Sequence, residues 1–282
     1  LAAAQIVGIN KIVVVQNKID VVAKERIVEN YHEIQDFVKD TAVEGAPIIP
    51  VSAQRIINVD ALIEAIQQRI PTPSRDLSRA PIMSILRSFD INRPGTPAVE
   101  IQGGVIGGSV LQGLFKVDDE VEIRPGIHVE KSGKAYYEPL FTEITSLQAG
   151  GQLVKEATSG GLIGMGTLLD PALTKADSLV GNVVGHPGHL PPVLSDLILD
   201  IQLFERVIGT EAQTVVEKIR TNEPLVLNTG TTVSSGVVTS ARDSIIELTL
   251  RRPVCIEPDL RVALSRRIGD SWRLIGFGVP RK

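Results

Sequence analysis

The sequence predicts an α/β segment followed by two all-β barrel domains. Strand and helix patterns alternate through the first 70 residues, and the linker Pro71–Ser74 ends that alternation. Short β-branched runs with turn residues between them follow, as expected of barrels. The stretch His186–Pro192 breaks this series once. The 25 glycines, 17 prolines and 4% aromatic content suit short strands joined by tight turns.

The first predicted strand is Lys11–Val15, a β-branched run without polar alternation, which favours burial on both faces. A helix is predicted over Ala23–Asp40, because apolar residues recur there at intervals of four, three and four. These apolar residues are Ile27, Tyr31, Ile34 and Val38.

A second strand and helix repeat this order. Pro47–Val51 is predicted as a buried strand, and Asn58 as the N-cap of the helix that follows. The apolar residues of that helix are Val59, Leu62, Ile63, Ile66 and Ile70. The βαβα order predicts a parallel sheet. Because two strands do not make a stable parallel domain, we expect the rest of this sheet to lie before Leu1.

Eleven short apolar runs are predicted as strands of the two barrels. In the first series they are Ile82–Leu86, Glu120–Ile123, Phe141–Leu147, Leu162–Thr167 and Leu179–Val184. In the second they are Leu197–Phe204, Leu225–Leu227, Gly236–Thr239, Ile245–Leu250, Val262–Ser265 and Trp272–Phe277. The predicted domains are therefore residues 1–75, 76–190 and 191–282.

Bulk composition limits the setting of the protein. The formal net charge is −4, which gives no global attraction to nucleic acid, so any such contact depends on local patches. The single cysteine forms no internal disulfide, and no signal peptide or long apolar run is present. We expect a reducing, cytoplasmic location and no membrane.

A polar tetrapeptide, Asn17-Lys18-Ile19-Asp20, directly follows the first predicted strand, and nucleotides bind at the carboxyl ends of parallel strands. The Asp20 carboxylate can accept hydrogen bonds from the ring N–H and amine of guanine, while Asn17 ties the loop and contacts the ring edge. Lys18 can lay its aliphatic stem over the base. Adenine would leave the carboxylate unpaired. The alternative is a polar strand-to-helix turn with Asp20 as a cap.

A second polar loop, Ser52-Ala53-Gln54, follows the next predicted strand. With one crossover helix between the strands, the two loops are expected side by side at one sheet edge. Small Ser52 and Ala53 allow backbone N–H groups to approach the guanine oxygen. The two loops together predict a guanine site more strongly than either loop alone.

These two loops resemble the base-recognition elements of translational GTPases, and the whole chain resembles the gamma-subunit family of archaeal and eukaryotic translation initiation factor 2, which is related to elongation factor Tu. Further matching stretches cover nearly all of the chain. They are Arg87–Gly95, Gly103–Ser109, Glu122–Gly126, Gly160–Gly164, Ala263–Arg267 and Trp272–Gly276.

The resemblance implies a P-loop GTPase domain, present here as an α/β remnant, followed by two β-barrels. It also implies GTP or GDP with Mg²⁺ as cofactors and a heterotrimer with alpha and beta subunits. This assembly would deliver initiator methionyl-tRNA to the small ribosomal subunit in a GTP-dependent way.

The chain departs from the family pattern in its phosphate-binding motifs. No G-x-x-x-x-G-K-[ST] or Asp-x-x-Gly sequence occurs, and the only Gly-Lys pair, Gly133-Lys134, is followed by Ala135. We therefore expect the Mg²⁺ ligands to be absent from this chain, and the chain as given not to hydrolyse GTP.

Other candidate residues have simpler interpretations. His186 and His189 flank a Pro-Gly turn and make a weak metal site. Cys255 and Trp272 are expected in the core. A C-terminal basic set could meet RNA phosphates or form an ordinary exposed barrel face. This set is Arg251, Arg252, Arg261, Arg266, Arg267, Arg273, Arg281 and Lys282.

Two hypotheses of function from different classes remain. In the first, the chain is a guanine-nucleotide-switched tRNA carrier, with Asn17, Lys18 and Asp20 selecting guanine and Ser52–Gln54 bracing it. In the second, it is a nucleotide-independent docking module whose α/β remnant is only structural. Binding of GDP distinguishes the two.

Overall fold

The structure is a computed structural model, and it describes residues 4, 6, 8–39, 41, 43–131, 133–207, 214–257 and 260–281. The chain divides into two units, Leu1–Ser74 and Arg75–Lys282. Leu1, Lys282 and Asp40, the predicted end of the first helix, lie outside the described residues. None of the described helices is long and apolar enough to cross a membrane.

The first unit is a small α/β structure. Strands β1 (Val14–Gln16) and β2 (Ile48–Pro50) pair in parallel. Helix α1 (Lys24–Val38) connects them, and α2 (Val59–Arg69) follows β2. A 3₁₀ turn covers Ile19–Val21. The predicted strand–helix order of this segment is confirmed.

Burial in the first unit is weaker than the sequence predicts. Val38 of α1 is buried, but Val15 in β1 is 42% exposed and α2 has no buried residue. The prediction that β1 is buried on both faces is therefore wrong for Val15. A sheet of two strands covers little area, so apolar side chains on and around it stay in contact with solvent.

Asn58 does not cap α2 with its side chain as predicted. It directly precedes the helix, but its backbone is left-handed, with φ at 55°, and it makes no side-chain capping bond. Its Nδ2 instead donates to the Pro50 carbonyl oxygen at 2.9 Å. This bond ties the loop after β2 back to the end of that strand.

The second unit begins with a six-stranded barrel, called the first barrel. Its strands are β3 (Ile82–Phe89), β4 (Val105–Gln112), β6 (Glu120–Lys131), β7 (Lys134–Ala149), β10 (Leu162–Thr167) and β11 (Val183–Gly185). They follow the order β10-β4-β3-β11-β6-β7, and pairing of β7 with β10 closes the ring. The core is filled by large apolar side chains, among them Phe115, Met83 and Ile123, which are fully buried.

The first barrel also contains several shorter elements. Strand β8 (Gln152–Val154) pairs antiparallel with the end of β7. Strand β5 (Leu114–Lys116) pairs antiparallel with β9 (Glu156–Thr158). The short helix α3 (Pro171–Thr174) is capped at its N-terminus by Asp170, whose side chain accepts a hydrogen bond from Ala172 N. Two further 3₁₀ turns cover Ala98–Glu100 and Lys175–Asp177.

The second barrel is closed by six antiparallel strands in the order β12-β15-β14-β13-β16-β17. These are β12 (Val193–Leu203), β13 (Pro224–Thr229), β14 (Thr232–Arg242), β15 (Ile245–Cys255), β16 (Val262–Ile268) and β17 (Ser271–Pro280). Leu199, Leu225 and Leu264 are fully buried in its core. The predicted architecture of an α/β remnant and two barrels is confirmed.

Polar side chains join the two barrels within this unit. Thr232 Oγ1 donates to the Gly181 carbonyl at 2.6 Å, and Arg252 Nη2 donates to the Val180 carbonyl at 2.9 Å. A methyl group added at Gly181 would lie 3.2 Å from the Thr232 Cα, so the backbones approach closely there. The barrels are therefore held by directional bonds as well as by apolar contact.

Three details of the barrels differ from the predictions. The run Leu179–Val184 is mostly a buried turn, fixed by the Asn182 side chain, which donates to the Leu179 carbonyl, and only its end joins β11. Strand β4 was not predicted, because its glycines resemble a loop. Trp272 is 45% exposed on β17, so its predicted place in the core is wrong.

Candidate functional site

The two predicted loops lie next to each other at the carboxyl ends of β1 and β2. Gln16, the last residue of β1, accepts a backbone hydrogen bond from Val51 N at 2.8 Å. One step further, Ile19 N donates to the Val51 carbonyl at 3.3 Å. Parallel pairing of the strands thus continues into the loops and brings residues 17–20 alongside residues 51–54.

Asn17 links the two loops through one side-chain atom. Its Oδ1 accepts from Lys18 N at 2.7 Å and from Ala53 N at 3.2 Å. An amide oxygen is the acceptor that two backbone donors require, so these contacts determine how the side chain is oriented. This orientation makes the Nδ2 group a hydrogen-bond donor.

Asp20 supplies a carboxylate to the same loop pair. Its side chain is 15% exposed, and a hydrogen bond from Ser52 is the main cause that lowers its pKa from 3.8. Arg55 Nε lies 4.0 Å from Asp20 Oδ2 and favours the charged form further. At neutral pH Asp20 is therefore ionised and can accept hydrogen bonds.

Ser52 is fully buried and organises the second loop. Its backbone pairs with Ile57 in both directions, at 3.2 and 3.0 Å, and its Oγ accepts from Arg55 N at 3.1 Å. The turn in between leaves Ala53 and Gln54 exposed beside the first loop. Lys18 is also exposed and adopts a left-handed backbone with φ of 67°.

All six predicted site residues lie in these two adjacent loops. A hydrogen bond connects Asn17 with Ala53, and Ser52 lowers the pKa of the Asp20 carboxyl, while Lys18 and Gln54 border the site from the solvent side. The arrangement presents an amide donor and a carboxylate acceptor at one edge of the sheet. This pair of groups matches the hydrogen-bonding edge of guanine.

Sequence reasoning missed two residues that support the site. Gln16 is buried, and its Nε2 donates to the Ile27 carbonyl at 2.9 Å and to Asn30 Oδ1 at 3.0 Å. These bonds fix the strand end that carries Asn17 against α1. The sequence signal that could have identified Gln16 is a polar residue at the end of an apolar strand. Arg55, beside Asp20, carried no comparable signal in the sequence.

The described residues fit a nucleotide base better than a metal ion. Among them, no group of three or more His, Cys, Asp or Glu side chains is arranged to hold a metal. His186 Nε2 lies 3.2 Å from Asp119 Oδ2, which makes it a hydrogen-bonding partner of a carboxylate in the first barrel.

The C-terminal basic residues have several different environments. Arg266 is bound by Glu223, Arg281 Nε lies 3.1 Å from Asp200 Oδ2, and Arg261 stacks over the Phe277 ring at 4.9 Å. Together with Arg252 at the junction of the barrels, these contacts show that much of the set has structural partners.

Three family descriptions match successive parts of the chain. "Elongation factor Tu GTP binding domain" matches residues 1–72, and "Elongation factor Tu domain 2" matches residues 103–185. "Initiation factor eIF2 gamma, C terminal" matches residues 195–279.

Curated relatives match the chain from end to end. Translation initiation factor 2 subunit gamma of Archaeoglobus fulgidus is 57% identical over 281 residues, which cover 100% of this chain and 66% of the relative. The protein of the same name from Pyrococcus furiosus is 55% identical over 282 residues, covering 100% and 69%. The chain thus spans about two thirds of the length of these relatives.

Solved structures of other translation factors share the fold. A bacterial selenocysteine-specific elongation factor aligns with a TM-score of 0.76 at 17% identity, over 99% of this chain and 42% of that one. Elongation factor SelB from Methanococcus maripaludis, in complex with a GTP analogue, aligns with a TM-score of 0.72 at 18% identity, over 96% and 58%.

Proposed function

Because this chain belongs to the family of translation initiation factor 2 gamma subunits, which are translational GTPases, we propose that its first unit holds a guanine base between residues 17–20 and 52–54. The observation that carries the proposal is the hydrogen bond from Ala53 N to Asn17 Oδ1, which joins the loops at 3.2 Å. The ionised Asp20 beside them accepts from the ring N–H and amine of guanine. Adenine offers no donor at that ring position.

In this proposal each loop has a separate task. Asn17 and Asp20 recognise the base edge, Lys18 covers the base face with its aliphatic stem, and Ser52 holds the Asp20 carboxylate in place. Ala53 and Gln54 brace the base from the second loop. The base supplies only part of nucleotide affinity, so we expect millimolar binding of guanosine or GDP by this chain.

We further propose that the barrels act in the delivery of initiator methionyl-tRNA to the small ribosomal subunit, together with alpha and beta subunits in the cytoplasm. The relatives' name supports this role, since it identifies one subunit of an initiation factor. A filter-binding comparison of initiator and elongator tRNA tests it. Equal retention of both tRNAs would contradict selectivity for the initiator.

The base site is tested by a change of one atom. Asp20→Asn replaces an acceptor by a donor, which suits the second oxo group of xanthine and opposes the amine of guanine. We expect the preference for guanosine over xanthosine, measured by NMR titration of the chain, to reverse by at least tenfold. Asp36→Asn, at an exposed carboxylate of α1, is the control and leaves the preference unchanged.

Two results would count against the proposal. Unchanged guanosine affinity in the Asp20→Asn variant would remove Asp20 from the site. Failure of the chain to bind GDP at all in calorimetry would favour the docking-module hypothesis, in which the first unit is only structural.

A further inference from the structure

A positively charged side chain stands at the carboxylate that the base site uses. Arg55 Nε lies 4.0 Å from Asp20 Oδ2, and no other Lys or Arg side chain of the described residues comes within 4.0 Å of that carboxylate. The Asp20 side chain is only 15% exposed, so a small part of its surface is open to any partner. Arg55 and a bound guanine would therefore depend on the same carboxylate.

The backbone of Arg55 is fixed, whereas its side chain is not. Arg55 N donates to Ser52 Oγ at 3.1 Å, and the backbone bonds between Ser52 and Ile57 close the turn around it. The Arg55 side chain is 71% exposed, and its guanidinium makes no hydrogen bond to the residues that the structure describes. The guanidinium is thus held near Asp20 by charge alone, and it can move away without breaking a hydrogen bond.

A guanidinium and the edge of guanine offer the same kind of group to a carboxylate. Arginine presents N–H donors in a rigid plane that matches carboxylate geometry. Guanine presents its ring N–H and its amine side by side in the plane of the base. The guanidinium also carries a positive charge, which attracts the carboxylate from a distance and which the neutral base lacks. The two groups are therefore alternatives for the Asp20 carboxylate.

On the premise that the base site of the proposed function is correct, we propose that Arg55 is a competitor built into that site. It neutralises Asp20 in the free chain, and guanine binds only by displacing that attraction. Because the Arg55 side chain is mostly solvated, the attraction is that of a surface ion pair. Its removal is expected to strengthen guanosine binding by roughly two- to fivefold.

A neutral ligand and a change of salt test the competition on the full chain. Arg55→Gln removes the charge and keeps the backbone N–H that bonds Ser52. The control, Arg69→Gln, removes the same charge at an exposed position in the last turn of α2. Guanosine is uncharged, so salt acts on its binding mainly through the ion pair that it displaces. Binding is measured by NMR titration in about 0.1 M and about 1 M NaCl, where the screening length falls from about 10 to about 3 Å.

The expected result is a difference that salt removes. In the lower salt, Arg55→Gln binds guanosine roughly two- to fivefold more tightly than the unmodified chain, and Arg69→Gln binds it like the unmodified chain. In the higher salt, the unmodified chain approaches the affinity of Arg55→Gln. A measurement without ligand tests the pair itself: by carbon-13 NMR, the pKa of Asp20 is higher in Arg55→Gln than in the unmodified chain and unchanged in Arg69→Gln.

The outcomes separate this inference from the base site. If Arg55→Gln binds guanosine more weakly than the unmodified chain, or equally well in the lower salt, Arg55 is not a competitor, although the base site stands. An equal Asp20 pKa in the two chains also overturns the inference, because the ion pair would then be absent in solution. If none of the chains binds guanosine, the base site itself is wrong and the inference is overturned with it.

Discussion

Replacing Arg266 with methionine tests how the second barrel is held together. The guanidinium contacts both carboxylate oxygens of Glu223, with Nη2 to Oε2 at 3.2 Å, and also donates to the carbonyls of Glu217 and Lys218 at 2.8 and 3.2 Å. The Arg266 and Glu223 side chains are each 16% exposed. Methionine keeps most of the aliphatic volume but removes every one of these bonds.

The expected loss follows from these contacts. Breaking a buried ion pair costs about 3–5 kcal/mol, because the remaining charge has no compensation. The cost here is lower, since the pair retains some solvent and Glu223 Oε2 still accepts from Arg220 N at 2.9 Å. We expect the free energy of unfolding of the second barrel to fall by about 2–3 kcal/mol.

Urea unfolding followed by fluorescence measures this loss, because the single tryptophan, Trp272, lies in the second barrel. With a slope of about 2 kcal/mol/M, the midpoint falls by about 1–1.5 M. The control is the neighbouring Arg267→Met. Arg267 is 62% exposed and reaches Asp270 only at 3.8 Å, so its loss costs below about 0.5 kcal/mol. Equal midpoints for the two variants would refute the reasoning.

Three further outcomes are expected. Gly108→Ala places a methyl group 2.0 Å from the Ser84 carbonyl oxygen and should destabilise the first barrel by at least about 2 kcal/mol in urea unfolding. The control is Gly107→Ala, whose methyl group meets nothing closer than 3.7 Å and should cost little. Equal effects of the two variants would contradict this. Burial raises the pKa of the Cys255 thiol to about 12. Alkylation by iodoacetamide at pH 8, followed by mass spectrometry, should therefore be far slower in the native chain than in urea. Similar rates in the two conditions would show that the native thiolate is accessible. The folded-state pKa of Asp20 lies below 3.8. Its contribution to the free energy of unfolding is therefore complete above pH 3.8 and is lost as pH falls through the lower value. Carbon-13 NMR of the carboxyl group should measure the lowered pKa, and Ser52→Ala should return it toward 3.8.

Local patterns predicted the elements of the fold well. Spacing of Ile27, Tyr31, Ile34 and Val38 predicts α1 to within two residues of its observed ends. The run Leu162–Thr167 coincides with β10. These signals are readable because helices and strands impose a repeat on neighbouring residues, which a single sequence records directly.

The adjacency of the two loops was equally predictable from the sequence, since a two-stranded parallel crossover brings both loops to one edge of the sheet. The order of the chain therefore predicted that residues 17–20 and 52–54 would be neighbours. The atom that joins them was not predictable, because the 3.2 Å contact between Ala53 N and Asn17 Oδ1 depends on the three-dimensional placement of residues 36 positions apart in the chain.

Contacts between distant parts of the chain decided the rest. Position 108 requires glycine because the Ser84 backbone of the neighbouring strand leaves no room for a side chain. Arg266 differs from Arg267 because adjacent strand residues point to opposite sides of the sheet. The sequence by itself determined the periodic elements and the paired loops at the sheet edge. Only the tertiary structure decided which polar groups are paired and which apolar groups stay in solvent, because these depend on residues far apart in the chain.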